Sequence, residues 1–591
     1  MKQNLLKTCV PLGTLLLLSG CIDNKYDLSD IDKTTQININ DLVVPVNIDA
    51  IELSEIIKID DDSKIKIVDL NGTEVYAVTE SGDFSSDPIE IDGFESNDIH
   101  IDPTVARFDL APTRAALVNT YNLGQFDPQT ININASDVDE SIIDIDAIRC
   151  EPMKIEMHFE ATGFDNNTDL LFKTLSFKFL KGLTLQNLPS NYAYDPDGLL
   201  TISNVPCRRV VKNGTAIHEG VVSVTAIAVD FSKTGTKLID HRFEYISTVE
   251  LESAVMEMTI NYTTTAPQLP ASVEFDVNTT AENLKATHFS GQIEYKLEGD
   301  ALEIDPVNLD DIPDFLNNDE TNLLLANPQI YLNMNNPLAP YQLGFTTGLE
   351  LASIRDGKKT DFNLDNGQLV KVGTNHGVDG PYNYVLSPSM PEQKLPGYTA
   401  NLQHVGFASL SNVLSGDGLP QQIEIHLVNP GLPRQKVTDF KLFNTIPGIE
   451  GKYDFFAPLA LKTGENGAVI IYRDSDTGWS DDDLDKLTIK TLNLEAKAFS
   501  DLPIGAELNV WPLDKNGNKI QGVQVTPAIV APNSKGEPVS ITVTGDIKDL
   551  DGVTYEAKVH AGSENPLSPQ QTIRLENIKA KVSGYYLTDF E

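Results

Sequence analysis

The stretch "MKIEMHFE", residues 153–160, decides how this chain folds. Met153, Ile155, Met157 and Phe159 alternate with Lys154, Glu156, His158 and Glu160. Successive side chains of an extended strand point to opposite faces, so one face here is apolar and the other wet. A helix would scatter the same residues around its circumference. The period recurs where Met256, Met258, Ile260 and Tyr262 interleave with Glu257, Thr259, Asn261 and Thr263. It recurs again where Val539, Ile541 and Val543 interleave with Ser540, Thr542 and Thr544. Strands with one buried and one solvated face belong to antiparallel sheets. Many short ones, separated by Gly, Pro, Asn and Asp clusters, read as sandwiches. The expected fold class is all-β, mostly antiparallel, with several Ig-like β-sandwich modules in tandem. Helical patterns are confined to 48–60, 310–318 and 407–416, where they read as short connectors.

The amino terminus has a different character. Lys2 and Lys7 precede an apolar run dominated by Leu15 to Leu18, and Ser19 and Gly20 lead into Cys21. The run is about a dozen residues, whereas a spanning helix needs roughly 20. A charged start, a short apolar centre and a small-residue exit describe a secretory signal, to be left out of fold reasoning. Leu18-Ser19-Gly20-Cys21 resembles the lipobox of bacterial lipoproteins. With the following "YDLSDID", residues 26–32, it resembles the large, multi-domain surface lipoproteins of Bacteroidales. The resemblance covers roughly the first 60 residues and extends loosely to the strand-rich remainder. It implies cleavage before Cys21, a diacylglycerol on the Cys21 thiol, and an outer-membrane anchor. It also implies an acidic tether (Asp23, Asp27, Asp30, Asp32) associated with exposure at the cell surface. Two or more acyl chains make such an anchor stable.

One internal echo helps to set boundaries. "IYLNMNNPLAP" (330–340) and "IEIHLVNPGLP" (423–433) each run from an alternating strand into Asn-Pro. Proline donates nothing to a ladder and restricts the residue before it, so Asn336 and Asn429 read as strand ends. "TTQININ" (34–40) and "DPQTININ" (127–134) echo one another similarly. The expected organisation is a signal peptide over 1–20 and a lipidated tether over 21–34. An N-terminal β-rich domain over 35–145 follows, then β-sandwich domains over 146–300, 301–445 and 446–591.

Charge and cysteine usage bound the partners. Acidic residues number 86 against 44 basic ones, a net charge of −42. Nucleic acid is excluded as a partner, because phosphate binding depends on clustered Lys and Arg. Cys9 leaves with the signal and Cys21 takes the lipid, so Cys150 and Cys207 remain. In an exported protein they are either one disulfide or two buried thiols. Their separation is too wide for a CxxC redox or zinc motif.

Familiar catalytic signatures are missing: no HExxH, no GxSxG, no phosphate-binding loop and no dinucleotide fingerprint. The chain therefore reads as non-catalytic and without a cofactor. His158 and His426 fall on the polar faces of their strands. The acidic stretch 472–487 places Asp474 and Asp476 ahead of Gly478, like the start of a calcium loop. Its glycine comes one residue early, and Asp485 stands where the bidentate Glu belongs, so it is no EF-hand. Asp474 and Asp476 remain candidates for a structural Ca²⁺, with an acidic surface loop as the other reading. Asn516-Gly517 between apolar flanks reads as a tight hairpin turn. Sugar recognition needs exposed aromatic faces, and the candidates are Trp479 and the pairs Tyr192/Tyr194 and Tyr382/Tyr384. Aromatic caps over a sandwich end are the other reading of these tyrosines.

These readings favour a membrane-anchored lipoprotein whose sandwich modules serve adhesion or interaction with a protein or glycan. The alternatives are a glycan-capture lipoprotein of a polysaccharide-uptake system, a glycosidase, and a fimbrial subunit matured by cleavage after Arg107 or Arg114.

Overall fold

The computed structural model describes residues 34–589 apart from 47–49, 58, 60–62, 71, 111–116, 165–166, 235–236, 262–269, 298–303, 310–311, 313–315, 317, 374–381, 399, 417 and 479–486. Cys21 with its lipobox and tether, Arg114 and Trp479 lie outside the described residues. Among the described residues the fold is nearly all antiparallel sheet. Its one parallel pair joins Tyr382–Ser387 to Gln403–Gly406.

The alternating strand quoted first lies within Ile142–Thr162. Met153, Ile155, Met157 and Phe159 are all buried, and His158 and Glu160 sit on the wetter face. This strand pairs with Thr215–Asp230 on one side and, along its length, with Ser272–Ala281 and then Ala286–Lys296 on the other. A second sheet, in which Arg242–Ile260 pairs with Thr168–Lys178, faces it. Phe172 from the second sheet meets Phe159 and Phe275 from the first, at centroid distances of 6.2 and 5.7 Å. The strand Leu199–Lys212 joins the layers: its first half pairs with Thr168–Lys178 and its second half with Thr215–Asp230. This is the expected sandwich.

A six-stranded sheet gathers distant segments in the order Gln403–Gly406, Tyr382–Ser387, Gln329–Met334, Glu450–Pro458, Glu74–Ser85 and Ile65–Asp69. A separate pair of sheets forms a C-terminal sandwich around Ile489, Ile541, Val543, Ile547 and Leu550. There Thr34–Val46 pairs with Thr572–Asp589, Thr34 lying opposite Asp589. These pairings link segments on either side of the cuts near 145, 300 and 445, and Ile142–Thr162 runs through the first of them.

Three local expectations change. Asn429 does not end its strand, because Gln422–Lys441 continues through it. Asn429 takes a left-handed φ of 48°, and the strand passes from Phe345–Arg355 to Ala286–Lys296 as its neighbour at this point. Pro430, with no N–H to give, sits where the ladder is already interrupted. The pattern over 48–60 shows one α-turn at Leu53–Ile56 and that over 407–416 a 3₁₀ segment at Ala408–Asn412, while most of 310–318 lies outside the described residues. Residues 472–477 continue the strand Val469–Thr477 and are not a loop.

Candidate functional site

The six-stranded sheet is buried on both faces for much of its length, so its strands show little alternation. Tyr76, Val78, Ile330, Leu332, Tyr453 and Phe455 face the main core. The opposite face carries Val75, Ala77, Tyr331, Val385 and Phe456, covered by a strap bearing Leu395, Tyr398 and Leu402. The strap is pinned by polar contacts. Tyr331 Oη donates to Gln329 Oε1 at 2.6 Å and accepts from the Leu395 N–H at 3.1 Å. Tyr398 Oη donates to Asp454 Oδ2 at 2.6 Å, and its ring lies 4.9 Å from that of Tyr331. Burial pushes the Tyr331 hydroxyl up to about 12, and burial next to Asp454 pushes that of Tyr398 higher still. Both therefore stay protonated donors at neutral pH.

Beyond the strap this face turns polar and opens. Register places Asn383, Asn333, Lys452 and Asp83 side by side across four strands. Asn333 Nδ2 donates to Asn383 Oδ1 at 2.7 Å, and Asn383 Nδ2 donates to the Ala400 carbonyl of the strap at 2.8 Å. Lys452 Nζ lies 3.4 Å from Asp83 Oδ1, with both side chains exposed. Next along the strands come Asn335, whose Oδ1 accepts from the Glu450 N–H at 2.9 Å, and Ser85. Asp83, Ser85, Asn333, Asn335, Glu450 and Lys452 line an open groove of about 820 Å³, with Asn383 buried beside it. Amides, carboxylates and one ammonium in a row offer both donors and acceptors to a hydroxyl-rich ligand. With Asp83, Asp87 and Glu450 against Lys452, the groove repels polyanions.

The residues singled out from sequence lie elsewhere, apart from Tyr382 and Tyr384, which belong to the strand Tyr382–Ser387 of this sheet and pack toward its main-core face. Tyr384 is in the core and donates to the Lys371 carbonyl, while Tyr382 is half-buried. Tyr194 Oη donates to the Leu180 carbonyl at 2.6 Å and accepts from the Leu183 N–H at 3.2 Å. Tyr192 and Tyr194 both pack against the main core. These tyrosines hold loops and strand ends and present no open stacking platform. Asp474 and Asp476 lie two apart on one exposed strand, and Asp474 Oδ2 accepts from Tyr555 Oη at 3.1 Å. Among the described residues no three His, Cys, Asp or Glu side chains gather as a metal site.

Cys150 and Cys207 are separate thiols, which corrects the disulfide reading. Cys150 Sγ lies 4.0 Å from the Ala226 carbonyl, whereas Cys207 Sγ packs beside Gly220, six positions away on the same strand. That separation is roughly 20 Å, far beyond disulfide reach. Burial pushes the two thiols up to about 11 and 12, so neither is a ready nucleophile.

Sequence reasoning missed the groove because its floor comes from residues near 83, 333 and 452. The available signal was Asn333 and Asn335, two polar positions on one face at the end of an otherwise apolar strand.

No protein family matches the chain, and no curated protein matches it. Among solved structures, a protein from Parabacteroides distasonis described as secreted shares 16% identity. That likeness covers 50% of this chain and 89% of the other, with a TM-score of 0.35. A protein from Corynebacterium diphtheriae described as membrane anchored shares 9% identity over 86% of this chain and 95% of the other, with a TM-score of 0.11. No helix among the described residues is long and apolar enough to cross a membrane.

Proposed function

We propose that this chain is a non-catalytic lipoprotein, anchored through Cys21 in the outer membrane and exposed at the cell surface. Its β-sandwich stack serves adhesion or interaction. Leu18-Ser19-Gly20-Cys21 supports the anchor, and the acids of residues 23–32 support passage to the outer face. The observation that carries an interaction role is the polar groove: Asn333, Lys452 and Asp83 in a row across three paired strands, open to solvent. Protease shaving of intact cells tests the reading. Loss of the folded chain from living cells without lysis is the expected result, and full protection until lysis opposes it.

A second reading is glycan capture, favoured by the same row. Amide and carboxylate groups match sugar hydroxyls, and Lys452 adds a donor. Glycan-array binding by the wild type and by Lys452→Ala and Asp83→Ala separates the two readings. A sugar lost in both variants supports capture, and an array without a binder leaves a protein partner as the ligand class.

A further inference from the structure

We infer that the C-terminal sandwich is a pedestal, with its lower end against the lipid surface and the rest of the molecule rising from its upper end. The inference rests on the Cys21 anchor proposed above and goes beyond it, because an anchor alone does not say which face meets the membrane.

The lower end follows from strand register. Thr34, where the described chain begins after the tether, lies opposite Asp589. Beside them Tyr586 pairs with Leu487, and Ile489 pairs with Ile547, which turns directly into Leu550. Leu550 in turn lies opposite Asp514, the start of the Asp514–Asn518 turn. The tether root, the carboxy-terminal strand end and these two turns therefore share one end of the sandwich. Ile37 and Leu587 expose half or nearly half of their surface close to the root.

Connections to the remainder of the fold gather at the upper end and reach down one flank as far as mid-strand, where Arg473 pairs with Glu320 at 2.6 Å. Ile51 pairs with Ile573, and the Leu53 N–H donates to the Gln571 carbonyl at 2.8 Å. The Tyr76 N–H donates to the Leu567 carbonyl at 2.9 Å, and Ala460 bridges Pro566. Val469, at the upper end of its strand, bridges Asn322. Strands of this length rise roughly 40 Å. The groove lies farther still along Glu74–Ser85, whose Glu74 contacts Gln570 beside the pedestal while Asp83 stands at the other end.

The tether supplies the occupant. The segment from Cys21 to Thr34 cannot span more than roughly 45 Å, so the root stays close to the acyl chains that hold it. A bilayer is thus the surface the lower end meets, and the net charge of −42 opposes laying the flanks on anionic lipid.

Fluorescence transfer from the lipidated full-length chain to a labelled lipid reads the orientation. The vesicles are phosphatidylethanolamine with phosphatidylglycerol. One dye is placed by Asn516→Cys, in the lower turn, and another by Glu465→Cys, in an exposed turn at the upper end. The wild type reports background labelling of Cys150 and Cys207. A several-fold greater transfer from position 516 than from 465 is expected. Equal or reversed transfer on vesicle-bound protein overturns the pedestal and leaves the anchor standing. Failure of the chain to float with the vesicles overturns both.

Discussion

Asn333 and Asn383 share a hydrogen bond of 2.7 Å across neighbouring strands, and Asn383 passes the contact on to the strap through the Ala400 carbonyl. The pair thus couples the floor of the groove to the segment that closes its covered half. Asn383 is 4% exposed, whereas Asn333 is half-buried and Ala400 exposed, so water can replace part of what its partners lose. Replacing it with Leu keeps the volume and removes the partners of the Asn333 amide and the Ala400 carbonyl. Asn383→Leu should cost about 1 kcal/mol, the net worth of ordinary hydrogen bonds whose remaining partners reach water. Denaturant unfolding measures this loss, and faster proteolysis within 388–402 should accompany it.

His218 predicts a specific acid sensitivity. Its side chain is fully buried, with Nε2–H donating to the Thr168 carbonyl at 2.6 Å and Nδ1 lacking a partner. Burial lowers its pKa, the Thr168 carbonyl opposes that shift, and Arg209 and Asp169 act in opposite directions. The folded pKa therefore lies below the unfolded value of about 6.5. As pH falls through about 6.5 the unfolded chain takes a proton that the folded chain refuses, so stability declines until the folded pKa is passed. His218→Gln should flatten that part of the stability curve between pH 7 and 5, measured as the difference from wild type.

The thiols make a third prediction. Cys150 and Cys207 should both be recovered alkylated from protein denaturated without reductant, and a reducing agent should leave the unfolding midpoint unchanged. In the native state a thiol reagent should modify them slowly, because burial raises both pKa values.

Gly584 tests the root of the pedestal. A Cβ there would lie 2.1 Å from the Thr488 carbonyl oxygen, in contact with backbone that has no room to move. The same residue faces Ile39 on the other side, next to a register shift in each neighbouring ladder. Gly584→Ala should loosen Thr34–Val46 first, seen as early proteolysis at the amino-terminal strand while the main sandwich stays intact.

Legibility in the sequence followed the number of wet faces. Ile142–Thr162 has one, so Met153 to Glu160 announced both the strand and its buried side. Gln329–Met334 has almost none, and five of its six residues are buried, so no alternation marked it. The Asn516-Gly517 turn was readable because its chemistry is local: Gly517 takes a φ of 75°, and Asp514 accepts from the Asn516 and Asn518 N–H groups. The groove was not readable, because Asp83 and Lys452 become neighbours only through a ladder between segments far apart in the chain. Asn429 misled for a related reason. Asn-Pro does interrupt a ladder, but whether the strand stops or changes neighbour depends on which strands wait on either side.

Metabolic incorporation of a labelled fatty acid into the wild type and into Cys21→Ala tests the anchor most directly. The account predicts label on the wild type, none on the variant, and a variant that remains an uncleaved precursor or leaves the envelope fraction. An unlabelled wild type, or a Cys21→Ala chain matured and retained in the envelope as before, would contradict it.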